Sequence, residues 1–155
     1  MSAGVLPDST RAPFVDALDG VFAHATDVLL VESDDLIRHA LRWLLSSDRR
    51  ECVAVASAEE ARQLLAAHEP ALVVTDLNLA GRWSGIDLLA WMSRSSRLRG
   101  VPMLLMTGDD PNGARVLLEA AGLDQVEILP KPFERVQLKE RLALLTGRAG
   151  LDRRP

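Results

Sequence analysis

Ala71-Leu-Val-Val-Thr-Asp76, continued by Leu77-Asn-Leu-Ala-Gly81, is the stretch that decides the fold. A short apolar run that stops at a carboxylate reads as a strand buried on both faces, and such strands belong inside parallel sheets. Asp76 then stands at the strand's carboxyl end, the edge at which open α/β sheets bind ligands. It is the candidate reactive group of the chain.

The same alternation extends to both sides. Asp27-Val-Leu-Leu-Val31 is an apolar run ending at Glu32-Ser-Asp-Asp35. Leu36, Ile37, Ala40, Leu41, Leu44 and Leu45 then recur at helical spacing. Cys52-Val-Ala-Val-Ala56 is a second strand, and Ser57-Ala-Glu-Glu60 opens a helix to about His68 with a capping-box pattern. Beyond the central strand, the sequence predicts a helix over Gly85–Arg94, with Ile86, Leu89 and Met92 inward, and a strand over Val101–Met106. A helix over 112–121, a strand over Val126–Leu129 and a helix over Glu134–Leu145 follow. Five strands alternating with five helices make parallel βα units with right-handed crossovers and helices on both faces. The fold class is α/β, a doubly wound five-stranded parallel sheet of order 2-1-3-4-5. Pro130 ends the fifth strand, and proline is tolerated at a sheet edge but not in its centre.

At 155 residues the chain has room for one sizeable core. The expected organisation is an N-terminal extension over 1–25, a domain over 26–147 and a disordered tail over 148–155. Within the extension Phe14, Val15, Leu18, Val21 and Phe22 lie at helical spacing. That stripe fits a short helix packed on its own domain, or one that forms a homodimer or binds a partner. No run approaches the ~20 apolar residues that span a bilayer, and residues 1–13 lack the pattern of a signal peptide. Cys52 is the single cysteine, which suits a reducing, cytoplasmic setting. A net charge of −4 gives no electrostatic ground for nucleic-acid binding. Of 18 cationic residues only Lys131 and Lys139 are lysines. A chain so rich in arginine holds lysine where a compact ammonium is wanted.

On this scaffold Glu32 and Ser33 follow strand one, Asp76 strand three, Thr107 strand four and Lys131 strand five. All converge on one crevice at the topological switch point. In this arrangement the chain resembles a receiver domain of a two-component response regulator, a flavodoxin-like (βα)5 fold, from about Asp27 to Leu145. Asp76, Thr107 and Lys131-Pro132-Phe133 match the family's motifs in order. The resemblance implies that Asp76 accepts a phosphoryl group from a histidine kinase or histidine phosphotransfer protein. It assigns Mg2+ to Glu32, Asp76 and the Asn78 main-chain carbonyl, and to Ser33 weakly or through a water. It gives Thr107 and Lys131 the phosphoryl oxygens, leaves room at Gly108, and makes the Lys131–Pro132 bond cis. The residues two past the aspartate and the threonine, Asn78 and Asp109, are those that influence autodephosphorylation in the family.

Three departures qualify the match. Ser33 stands where the family has the second acid of its pair. Mg2+ commonly uses one or two carboxylates, so weaker binding is expected, not none. Asp34 is expected to cap the first helix instead of replacing that acid. Ile128 replaces the aromatic that swings inward as Thr107 moves. The loop Leu79–Gly85 lacks the family's common proline, is one residue longer than usual, and carries Trp83 as a partner contact or a lid.

The expectation is therefore a stand-alone receiver, not an enzyme beyond its own phosphorylation and dephosphorylation, that signals by contact with a downstream protein. Its rival is a pseudo-receiver, an interaction module of the same fold with weak or no Mg2+-dependent phosphorylation. An aspartyl phosphatase is disfavoured because Asn78 stands where that class carries its second acid.

Overall fold

The computed structural model of the chain describes residues 27–47 and 50–148. The expectations for the extension over 1–25 and for the end of the chain lie outside these residues. Five strands run in parallel: β1 (Val28–Val31), β2 (Cys52–Val55), β3 (Leu72–Asp76), β4 (Met103–Thr107) and β5 (Glu127–Pro130). Their order across the sheet is β2-β1-β3-β4-β5, as the alternation predicts. The helices are α1 (Asp35–Leu45), α2 (Ala58–Ala67), α3 (Gly85–Ser93), α4 (Pro111–Ala120) and α5 (Arg135–Arg148).

Period-two alternation in buried strands sends successive side chains to opposite faces. Leu29, Val31, Val53, Val55, Val73 and Leu105 face one core, closed by α2, α3 and α4. Val28, Leu30, Leu72, Val74, Leu104 and Met106 face the other, closed by α1 and α5. Both faces being covered explains why the strands read as unbroken apolar runs. Pro130 sits exposed at the end of the edge strand β5, opposite Thr107. Cys52 is buried in the second core, where burial pushes its thiol pKa up to about 12 and leaves it inert.

Local chemistry sets the helix ends. Asp34 caps α1, accepting from Ile37 N at 2.9 Å. Ser57 caps α2 by accepting from Glu60 N, but the Glu60 carboxylate reaches Ala56 N at 2.9 Å and not the cap's own amide. The reciprocal capping box is at α3, between Ser84 and Asp87. Asp110 caps α4 by accepting from Asn112 N and Gly113 N.

The helical stripe of α1 is narrower than its spacing suggests. Leu41 and Leu45 are buried and Leu44 half-buried, whereas the stripe residues Leu36 and Ile37 are 81% and 40% exposed, and Trp43 beside them is exposed as well. The sheet accepts only one face of a helix, here the one that carries Leu41 and Leu45. Arg135 places its guanidinium 5.6 Å from the Trp43 ring.

Candidate functional site

The carboxyl ends of β1, β3, β4 and β5 form one edge of the sheet, and the polar residues that punctuate the strands meet there. Glu32 directly follows β1 and is 2% exposed. Its Oε1 accepts from Asp34 N at 3.2 Å. Its Oε2 lies 3.1 Å from Lys131 Nζ. The same ammonium is 3.3 Å from Asp76 Oδ1. Two carboxylates from strands adjacent in the sheet but distant in sequence thus face one cation. Burial pushes the Asp76 pKa upward. Lys131 pulls it down and Glu32 pushes it up again, leaving it above the ordinary aspartate value.

Lys131 is placed by main chain as well as charge. Its amide donates to Thr107 O at 2.6 Å, and the following Lys131–Pro132 peptide is cis, as the resemblance implies. Thr107 is fully buried at the end of β4. Its Oγ1 accepts from Asp109 N at 3.0 Å, which leaves its own proton to donate. Gly108 has open space where a side chain would begin. Asn78 Nδ2 donates to Asp109 Oδ2 at 2.8 Å, so the loops after β3 and β4 touch across the crevice.

Ser33 does something its position did not foretell. Its hydroxyl donates to Ala56 O at 3.0 Å and accepts from Ala80 N at 2.8 Å, joining three loops. Ile128 is buried among the apolar residues of the first core. Trp83 is neither a free contact nor a lid. It is packed against that core, edge-on to Trp91, with the Arg62 guanidinium 4.1 Å from its ring centroid.

Two residues of the site are missed by the sequence reading. Gly85 opens α3 so close to β3 that a Cβ there would lie 2.1 Å from the Asp76 carbonyl oxygen. A glycine at a helix start, immediately after a capping serine, is the signal that marks it. Glu59 accepts from Arg82 N and Trp83 N at 2.9 and 3.1 Å. No sequence pattern reveals it, because its partners are main-chain amides 23 and 24 residues away.

Among the described residues no group of three or more His, Cys, Asp or Glu is placed to hold a metal. The crevice does hold two carboxylates, Glu32 and Asp76, both within reach of the Lys131 ammonium. In donor type and number they meet the need of Mg2+, which keeps several waters and uses one or two acids.

A family model describing the response regulator receiver domain matches residues 28–143. The chain belongs to that family. The transcriptional regulatory protein GltR of Pseudomonas aeruginosa is 30% identical over 127 residues, covering 82% of this chain and 51% of that protein. The chain thus spans about half the length of this curated relative. The signal receiver domain of an HD domain-containing protein from Pseudomonas fluorescens superposes with a TM-score of 0.71 at 26% identity, covering 82% of this chain and 98% of that one. The receiver domain of a sensor histidine kinase from Pseudomonas aeruginosa, solved with a magnesium ion in its active-site cleft, has a TM-score of 0.69. It is 23% identical, with 79% and 98% of the two chains covered. The receiver-domain family belongs to two-component systems, and this chain has the fold described above.

Proposed function

We propose that this receiver accepts a phosphoryl group on Asp76 from the phosphohistidine of a kinase or phosphotransfer protein. The observation that carries the reading is the single ammonium of Lys131 held between Glu32 and Asp76, at 3.1 and 3.3 Å. An Asp76 carboxylate oxygen attacks phosphorus in line. The P–N bond breaks, its electron pair stays with the imidazole, and an acyl phosphate forms. Lys131 and the Thr107 hydroxyl bind phosphoryl oxygens, Gly108 leaves space for them, and Glu32 keeps Lys131 in place. Glu32, Asp76 and the Asn78 carbonyl would hold Mg2+, which supplies charge neutralisation. Ser33 would contribute weakly or through a water, because its proton and one of its two lone pairs are engaged.

Contact with partners is supported by Leu36, Ile37 and Trp43, exposed apolar residues on the helix that starts beside Glu32. The reading includes a cytoplasmic receiver that signals to a downstream protein by contact, with no nucleic acid or membrane as partner. Among the described residues no helix is long and apolar enough to cross a membrane.

A pseudo-receiver of the same fold is the second reading, favoured by the engagement of Ser33 and the burial of Ile128. Intact mass after incubation with Mg2+ and a small phosphodonor separates the two. A phosphoryl adduct that is lost in Asp76→Asn supports phosphoacceptance. Its absence in the parent supports the pseudo-receiver.

A further inference from the structure

We propose that Glu59 and Ser33 are positioning residues that clamp the main chain of the loop between β3 and α3, and so hold the Asn78 carbonyl at the crevice. The proposal rests on the Asp76 reading above; it adds Glu59, which lies outside the expected ligand set, and gives Ser33 a second role.

The loop comprises residues 77–84. Its ends are fixed by the sheet and by α3: Leu77 N donates to Met106 O at 2.8 Å, and Gly85 N donates to Leu77 O at 2.9 Å. Between these points three amides are held from outside. Ala80 N donates to Ser33 Oγ, while Arg82 N and Trp83 N both donate to Glu59 Oε1. Asn78 lies between the anchored residues 77 and 80, and its side chain is tied to Asp109. Its freedom is therefore set by the clamp.

The clamp is itself braced. Ser33 donates to Ala56 O, and Ala56 N donates to Glu60 Oε2, so the anchor is tied back to α2. Gly81 adopts φ +102°, the left-handed region that favours glycine. A Cβ there would sit 2.9 Å from Glu59 Oε2, so glycine lets the loop backbone settle onto the carboxylate. Arg62, one turn along α2, lies over Trp83 and Trp91 and closes the far side. Burial raises the Glu59 pKa, but the amides of Glu59, Arg82 and Trp83 together with Arg62 outweigh it and hold the carboxyl below its ordinary value. Glu59 is thus ionised when it receives the loop.

The identity of residue 33 follows from the same geometry. A hydroxyl can donate to Ala56 O and accept from Ala80 N together, whereas a carboxylate can only accept. Serine gives up a direct charge on the metal and anchors the loop that carries another of its ligands.

The test compares the full chain with Glu59→Ala, Glu59→Gln and Ser33→Ala. Amide hydrogen exchange is read without metal, and Mg2+ affinity is read by calorimetry. Glu59→Ala is expected to speed exchange at Arg82 and Trp83 about tenfold and to weaken Mg2+ binding about tenfold. Ser33→Ala should do the same with exchange at Ala80. Glu59→Gln keeps an oxygen in the place of Oε1 and should stay near the parent in both. Faster exchange with unchanged Mg2+ affinity makes the clamp merely structural and overturns the proposal. So does unchanged exchange in Glu59→Ala. A parent that binds Mg2+ but gains no phosphoryl mass overturns the functional reading instead, and leaves the clamp to be decided by these two measurements.

Discussion

Asn78 Nδ2 donates to Asp109 Oδ2 at 2.8 Å, across 31 residues of sequence. Asp109 in turn donates its amide to Thr107 Oγ1. A side chain two residues past the phosphoacceptor candidate is therefore linked, through one residue, to the hydroxyl on the neighbouring strand.

Charge-assisted hydrogen bonds contribute more than neutral ones, but this contact is exposed. Asn78→Ala and Asp109→Ala should each cost about 1 kcal/mol. The double variant should cost less than the sum, with a coupling of about 0.5 kcal/mol or more in urea unfolding. Additive effects would mean that the bond does not join the two loops.

Asp76 links stability to pH. Its folded pKa lies above the unfolded value because burial and Glu32 outweigh Lys131. The folded state therefore binds the proton more tightly. The associated stability is present below the unfolded pKa of about 3.9 and is lost as pH rises through the folded pKa. Asp76→Asn mimics the protonated form, so it should stabilise the metal-free protein at neutral pH. That gain should vanish as pH falls to about 3.9. Thermal unfolding across pH measures it, and a pH-independent effect would contradict the sign.

Gly85→Ala should be among the most harmful single changes. The atom that blocks the new methyl group is the Asp76 carbonyl oxygen, which belongs to the central strand and cannot rotate away. Overpacking of this kind costs about 1–3 kcal/mol or more. Denaturant unfolding should show the loss. The Gly108→Ala control, where space is open, should cost under about 1 kcal/mol.

Ser33→Asp places two opposing effects at one position. The carboxylate cannot donate to Ala56 O, and leaving that acceptor unpaired costs about 1–3 kcal/mol without metal. The added charge beside Glu32 and Asp76 should also raise Mg2+ affinity. Thermal midpoints with and without Mg2+ should show a lower baseline and a larger Mg2+-dependent rise than the parent. An equal rise would remove position 33 from the account of metal affinity.

The fold was legible because its signals are local and repeated. Each apolar run stops at a polar residue, and parallel strands place those residues at one edge whatever the helices between them contain. Asp76, Glu32 and Lys131 could be brought together on paper for that reason, and Pro130 marked the edge strand. Leu36 and Ile37 show where the reasoning stops. Periodicity reveals that a helix has an apolar stripe, but the sheet decides how much of the stripe it covers.

Sequence alone determined the order of the strands, the two-faced core and the strand ends at which polar side chains collect. These follow from alternation, chain direction and the handedness of crossovers. Tertiary structure alone decided that Ser33 binds two backbones, that Glu59 receives the loop after β3, and that Gly85 lies against the Asp76 carbonyl. Each of those depends on which main-chain groups approach in space. A main-chain amide or carbonyl is the same at every residue, so beyond the glycine that follows the capping Ser84 the sequence carries no mark of where it will be needed.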